Sequence, residues 1–443
     1  MIPSSREPLV DFRLGRGILL DRTTGTHVVI VGAGFGGIAC AAALGSTSIR
    51  VTLIDRRNYN LFVPLLYQVA TAALSPADIA RPIRRILSRH RNITVRLGEV
   101  VGVDAKARIV RLADGAEVPY GRLVLATGSE YSYFGHPEWH RVAPGPRTIE
   151  EARQIRTRLL TAFERAETTE NETERNALMT TVIVGGGPTG VEMAGAVAEL
   201  ARYALARDFR HIDPRLARIL LLEAGPRILP SFPEKLATYA HQALEHLGVT
   251  VMTQHAVESV DEGGVVAMGR RIPAGTVIWG AGVHALPAGG WLGLKLDRTG
   301  RTPVAPDLSV PGVDGVYVLG DTALASDEGG QPLPALAQVA KQQGQHLGRA
   351  LAANLERGRP MPPFRFHNRG NTAMIGRHAA VFDFGWLQLR GRMAWLLWAI
   401  VHIFLLIGFQ NRIIVATQWL WSYLTYERGA RLITPGEPAE TLH

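Results

Sequence analysis

The chain has 443 residues, 47% of them apolar and 20% charged, with a formal net charge of +9, which is length enough for two or three domains with cores of their own. Its single cysteine, Cys40, excludes a disulfide framework, a four-cysteine zinc site and internal dithiol chemistry. The positive balance comes without zinc-finger spacing, an RNA-binding signature or a long basic run, so nucleic acid is not an expected partner.

Residues 1–26 carry polar and charged interruptions and no compact apolar core of a secretory signal; they are expected to form a loose arm on the cytoplasmic side. From His27 the chain reads "HVVIVGAGFGGIACAAAL". A β-branched run feeds Gly32, Gly34 and Gly37 and then an alanine-rich helical pattern. That is the strand, turn and helix needed to present free N–H groups to a pyrophosphate. The next strand, "RVTLIDRR", ends at Asp55, eighteen residues after Gly37, where a carboxylate accepts from a ribose. Farther on, "LVLATGS" runs an apolar strand into Ala126, Thr127 and Gly128.

The first pattern then repeats. "TTVIVGGGPTGVEMAGAVAEL" gives Gly185, Gly187 and Gly190, and "RILLLEAGPR" ends a strand at Glu223. Two such units predict two dinucleotides on one chain, a tightly held flavin and an exchangeable nicotinamide, because hydride chemistry needs a donor and an acceptor face to face. Glu223 favours a free ribose hydroxyl over a phosphate, hence NADH over NADPH, with Arg227 close enough in sequence to soften the preference. "GVYVLGDTA" supplies Gly320 and Asp321, and "PALAQVAKQQG" reads as a helix with Gln338 and Gln342 on one face.

Residues 365–433 leave this rhythm. "MAWLLWAIVHIFLLIGF" (393–409) is seventeen residues without an acid or base other than His402, about 25 Å of helix against a hydrocarbon core of roughly 30 Å. Its length, and Trp395, Trp398, Trp419 and Trp421, favour two helices lying in a membrane surface over a spanning hairpin. Arg390, Arg392, Arg412, Arg428 and Arg431 flank them and are expected to meet anionic headgroups. The alternatives are a buried helix pair or a dimer interface. His402 is expected to be a packed core histidine.

With these residues in view, the chain resembles the two-dinucleotide-binding flavoprotein superfamily and, more narrowly, the type II NADH dehydrogenases, the single-chain NADH:quinone oxidoreductases. The narrow resemblance rests on "NYNLFVPLLYQVATAALSPADIARPIR" (58–84), "LLEAGPRILPSFPEKLA" (221–237), "VIWGAGV" (277–283), "ALAQVAKQQG" (335–344) and the tail through "ERGARLI", and spans about residues 27–433. It implies an α/β fold of two Rossmann-like domains with a C-terminal amphipathic helical membrane-anchoring region. The implied divisions are 1–26, an arm; 27–150 and 289–364, the FAD-binding domain in two parts; 151–288, the NADH-binding domain; and 365–443, the membrane-associating region.

The resemblance further implies non-covalent FAD on Gly32, Gly34, Phe35, Gly36, Gly37, Asp55 and Arg56, with Thr127, Gly128, Gly320, Asp321, Ala337 and Gln338 completing its pocket. NADH would sit on Gly186, Gly187, Pro188, Thr189 and Gly190, with its ribose on Glu223. Glu192 is implied as a positioning or proton-relay residue near the nicotinamide, and Gln338 and Gln342 as the border of the quinone site. No metal is expected. Disulfide reductases and sulfide:quinone reductases of the superfamily need catalytic cysteines that this chain lacks.

The function so implied is a non-proton-pumping NADH:quinone oxidoreductase, peripheral and monotopic on the cytoplasmic face of the cell membrane. Its partners would be a membrane quinone and the lipid surface, with a homodimer through the C-terminal region left open. The competing readings are a soluble NADH-dependent flavoprotein reductase with a protein acceptor such as a ferredoxin, and a non-enzymatic NADH-binding protein that recruits partners through its tail.

Overall fold

The computed structural model describes residues 27–286, 288–425 and 428–433; the arm expected over 1–26 lies outside them. The run His27–Val31 (β1) is buried at every residue, as a strand covered on both faces requires. It turns through Gly32–Gly34 into α1 (Phe35–Leu44), and β2 (Arg50–Asp55), β3 (Ile93–Leu97) and β4 (Arg122–Leu125) follow. Next comes α2 (Ile149–Thr168), opened by Thr148, whose side chain accepts from the Glu151 N–H, a standard N-cap that satisfies one of the helix's free donors. The strand, glycine turn and helix then recur as β5 (Thr180–Val184) and α3 (Pro188–Glu199), with β6 (Arg218–Glu223), β7 (Val249–Thr253) and β8 (Thr276–Trp279) after them. The chain returns as β9 (Val316–Val318) and α4 (Ala337–Arg357).

Strand order makes the repetition physical. One sheet runs β9-β4-β1-β2-β3 and the other β7-β6-β5-β8, every pair parallel. In each, the strand that feeds the glycine turn lies between the next strand in sequence and a later one. The order reverses there, and a crevice opens beyond the carboxyl ends of the strands. Because β9 joins the first sheet, that sheet is built from residues on both sides of the second.

Close helix packing fixes the crevice walls. α4 crosses α1 where a Cβ on Gly344 would strike the carbonyl of Gly36, and one on Gly348 would come within 2.6 Å of the Cys40 carbonyl. Cys40 is fully buried, and burial pushes its thiol up to about 12, so it is an inert packing group.

After α4 come three antiparallel strands, β10 (Asn371–Gly376), β11 (Ala379–Asp383) and β12 (Gln388–Arg390), then α5 (Gly391–Leu405) and α6 (Phe409–Thr425). No described helix is long and apolar enough to cross a membrane. α5 is apolar on both sides. Ala394, Trp398 and His402 are buried against the body, whereas Met393, Leu396, Ile400 and Phe404 are 68%, 50%, 56% and 71% exposed.

Two expectations about the tail are corrected. Of the four tryptophans of α5 and α6 only Trp421 is exposed: Trp398 stacks on Trp419 at 5.1 Å and on His402 at 4.2 Å, and Trp419 Nε1 donates to Gln68 Oε1 at 2.8 Å. Nor do all the flanking arginines face outward. Arg428 is buried, donating to the carbonyls of Thr71 and Ala196 and pairing with Glu199 at 3.3 Å, and Arg431 pairs with Asp208. A guanidinium that finds carbonyls and a carboxylate on the protein replaces its hydration there, and so α6 is fastened to the body by these two residues. His402 is buried, as expected, with Nδ1 2.8 Å from the Trp398 carbonyl.

Candidate active site

The two glycine turns are near copies. Gly32 and Gly185 have φ of +99° and +105°, which favours glycine, and a Cβ on Gly37 or Gly190 would collide with the carbonyl of Gly32 or Gly185 respectively. At Gly34 and Gly187, by contrast, a Cβ would meet nothing within 4 Å. Each turn therefore holds its helix start tightly from behind and leaves its front open, the shape that lets a pyrophosphate approach the backbone. The first turn of α1 contains no acidic side chain, and neither does that of α3.

The strand-end carboxylates are equally matched. Asp55 accepts from the N–H groups of Ala33 at 2.6 Å and Arg57 at 2.7 Å; Glu223 accepts from Gly186 and Gly225, each at 2.6 Å. Each pins its own glycine turn while its outer edge remains partly exposed. Burial raises the Asp55 carboxyl from its usual range, against the two N–H groups and the neighbouring Arg57 and Arg56. Arg227 donates to the carbonyls of Phe232 and Pro230, both at 2.9 Å, so its guanidinium is held by backbone beside Glu223.

The turns after β4 and β9 meet. Thr127 Oγ1 lies 3.1 Å from Thr322 Oγ1, which also accepts from the Gly128 N–H at 3.0 Å. Asp321 accepts from Ser129 Oγ at 2.7 Å and pairs with Arg147 at 2.8 Å. Gln343 is buried and its Oε1 accepts from the Gly320 N–H at 2.7 Å. Asn60 donates to the Ala33 carbonyl at 2.7 Å, bracing the first glycine turn from the other side. Arg147, Ser129, Thr322, Gln343 and Asn60 were not among the residues singled out from sequence. Only Gln343 carries a local signal, its place in the helix beside the two other glutamines.

One cavity of about 3230 Å³ joins these parts. Its wall includes Gly32, Gly34, Phe35, Gly36, Asp55, Arg56, Thr127, Gly128, Gly320, Asp321, Ala337 and Gln338 from around the first sheet. It continues to Pro188, Thr189 and Glu192 at the start of α3, and to Gln342 on α4. Gly37 and Gly190 are not on its wall because they pack behind the turns; Gly186, packed against Glu223 and Ile228, and Gly187 and Glu223 are not on it either.

Glu192 accepts from the Met374 N–H at 3.2 Å, and burial pushes its carboxyl up to about 8 against that single hydrogen bond. It is therefore protonated at neutral pH and able to donate. Gln338 and Gln342 are turned to the chain that follows α4. Gln338 Nε2 donates to the Gly370 carbonyl at 3.0 Å while its Oε1 accepts from the Arg369 N–H at 3.1 Å. Gln342 does the same with His367, at 2.9 and 3.1 Å. Each amide thus holds an extended segment in a strand-like pair of bonds and keeps one N–H for another partner. Beyond them the wall is apolar, Ile400, Val401, Phe404 and Leu405 of α5, with Lys341 at the rim. Burial, then Arg369 and Arg412, lowers the Lys341 ammonium from its usual range.

Comparison with known proteins agrees with this geometry. Residues 26–344 match the model of the pyridine nucleotide-disulphide oxidoreductase family, and residues 368–426 match that of the NDH2 C-terminal domain. The chain is 41% identical to the type II NADH:quinone oxidoreductase NdhA of Mycobacterium tuberculosis and 39% identical to Ndh of the same organism. These alignments cover 93% and 92% of this chain and 90% of each relative. Among solved structures, NDH2 from Plasmodium falciparum in complex with NADH superposes with a TM-score of 0.83 at 20% identity, over 93% of this chain and 100% of that one. The sulfide:quinone oxidoreductase of Aquifex aeolicus follows the same fold at a TM-score of 0.66, 19% identity and 93% coverage of each chain. With both glycine turns, the joining cavity and the C-terminal module in place, the chain belongs to the type II NADH:quinone oxidoreductases.

Proposed function

We propose that the chain oxidises NADH and reduces a membrane quinone through FAD without pumping protons, the first sheet holding the flavin and the second the nicotinamide cofactor. The observation that carries this is the single cavity that runs from the first glycine turn, past the start of α3, to an apolar mouth on the tail. FAD held there would supply a hydride acceptor for NADH and a two-electron donor for the quinone, whose reduction to the quinol also takes up one proton from water. The protein's part is positioning. Gly32–Gly37 and the start of α1 receive the pyrophosphate, Asp55 the adenosine ribose, and Asp321, fixed by Arg147 and Ser129, the flavin's polar chain. Glu223, with Arg227 donating to two backbone carbonyls, supports NADH over NADPH. Glu192, beside Pro188 and Thr189 on the cavity wall, would offer a hydrogen-bond donor to a nicotinamide held there. The free N–H of Gln338 and of Gln342 is available to a quinone carbonyl.

The exposed apolar side of α5, and Leu420, Trp421 and Leu424 of α6, at 60%, 59% and 68% exposure, support a peripheral, monotopic seat on the lipid surface of the cell membrane's cytoplasmic face. An apolar patch of that kind beside an apolar mouth gives a long-tailed quinone a route that never crosses water. Gln338→Ala tests the placement: flavin reduction by NADH should stay as fast as in the wild type while reoxidation by a short-tail quinone slows about tenfold, the value of one lost hydrogen bond. Slowing confined to the reductive half would put Gln338 on the other side of the flavin.

A further inference from the structure

Between Ile79 and Gly98 the sequence holds six arginines and no acidic residue. They are interleaved with Ile83, Ile86 and Leu87, so the stretch does not read as a basic run. In the fold, Arg96 pairs with Asp114, but among the described residues no carboxylate lies within salt-bridge distance of Arg81, Arg84, Arg85 or Arg89. Mutual repulsion among unpaired guanidinium groups on one short segment is unfavourable unless something anionic shares the space.

Their setting indicates what that is. Arg81, Arg85, Ser88 and Arg89, with Ile86 and Ile407, line a separate recess of about 330 Å³. Ile407 and Gly408 form the corner between α5 and α6, and Arg81 lies directly over Gly408, whose φ of +100° and lack of a side chain leave it room. Asn411 fixes this corner by donating to the Asp78 carbonyl at 2.9 Å. Ile86 and Ile407 also belong to the wall of the large cavity. The recess therefore has guanidinium groups on one side and Ile86 and Ile407 on the other, and those two isoleucines separate it from the large cavity at the corner of the tail helices.

We infer that the recess formed by Arg81, Arg85 and Arg89 with Ile407 binds the phosphate of an anionic phospholipid whose acyl chains lie along the exposed face of α5 and α6. Three guanidinium groups match a phosphodiester in charge and donor geometry, and Ile86 and Ile407 give the recess an apolar side for the chains. The assignment rests on the membrane-docked orientation proposed above and adds to it a preference among lipids and a seat for one of them beside the quinone's entrance.

The test uses full-length flavin-loaded protein and vesicle flotation at fixed ionic strength, with pure phosphatidylcholine or phosphatidylcholine mixed with phosphatidylglycerol. Wild type should partition more strongly into the mixed vesicles. Arg81→Gln/Arg85→Gln/Arg89→Gln, and to a lesser degree Arg85→Gln/Arg89→Gln, should lose that preference by ten- to a hundredfold, at roughly a factor of five per arginine, with binding to pure phosphatidylcholine and turnover of a short-tail quinone unchanged. Arg270→Gln/Arg298→Gln/Arg359→Gln, which removes the same charge from exposed sites outside the recess, should keep most of it. Equal losses in the two triple variants would mean diffuse attraction and overturn the recess. So would a recess variant that binds mixed vesicles like wild type. Release from mixed vesicles by inorganic phosphate at constant ionic strength would assign the recess to a free anion. If wild type floats with neither vesicle, the docked orientation itself fails, an outcome distinct from loss of the preference alone.

Discussion

Glu192 shows how much one side chain's surroundings decide. Its carboxyl ordinarily ionises near 4.5 and in the fold near 8, because burial outweighs the one N–H it accepts from Met374. Between those two values the folded state holds a proton that the unfolded chain has lost, so this residue makes the fold less stable as pH rises from about 4.5 to about 8, after which the effect levels off. Glu192→Gln keeps the shape and removes the titration. The melting temperature of the variant relative to wild type should therefore climb between pH 5 and pH 8; a constant difference would show that Glu192 is ionised throughout. The position of this residue was legible because it follows a glycine turn onto a helix, whereas its protonation was not, since that depends on Met374, 182 residues away. Asp55 and Glu223 were legible for a local reason, as each ends the strand after its own turn. Arg147 and Asn60 were not, because Asp321 and Ala33 reach them only once strands distant in sequence have paired.

Among the elements, the crossing of α3 over β10 is the tightest joint between the second sheet and the C-terminal module. A Cβ on Gly195 would run into the Ile375 carbonyl; Gly195 is in mid-helix, and Ile375 is buried at a bulge in the pairing of β10 with β11. Gly195→Ala gains helix propensity of about 1 kcal/mol but must push α3 off β10, at a cost of about 1–3 kcal/mol or more for overpacking. Net destabilisation is expected, read as a lower melting temperature. Because Glu192 is fixed by Met374 of the same strand, the displaced helix should also show a raised KM for NADH. A variant more stable than wild type would mean that the joint is loose. The glycine turns, strands and α4 were legible as elements because hydrophobic period and glycine spacing both specify them. The inner and outer sides of α5 were not. Apart from Arg392 and His402 its residues are apolar all the way round, so the sequence carries no stripe to tell Trp398, which faces the body, from Ile400 and Phe404, which do not.

At the scale of the whole molecule, α5 and α6 have two separate tasks. They are fastened inward by Trp398, Trp419 and the buried Arg428–Glu199 pair, and they present Met393, Leu396, Leu420 and Leu424 outward at half or more of full exposure. The inward contacts hold the cavity mouth in shape; the outward ones have no partner among the described residues. If the outward face exists to enter lipid, charging it should separate the two tasks. Leu396→Glu/Leu420→Glu/Leu424→Glu alters three residues that are not on the cavity wall, so flavin content, melting temperature and turnover of a short-tail quinone should match wild type. Each buried leucine side chain returns roughly 1.5–3 kcal/mol of transfer free energy, and each glutamate placed in a lipid surface costs more than that gain. Binding to neutral phosphatidylcholine vesicles should therefore fall by at least a hundredfold, and with it turnover of a long-tail quinone held in the same vesicles. Loss of short-tail activity would show that the face is part of the fold and not of a docking surface. Unchanged vesicle binding would move the seat of the protein to another side of the molecule.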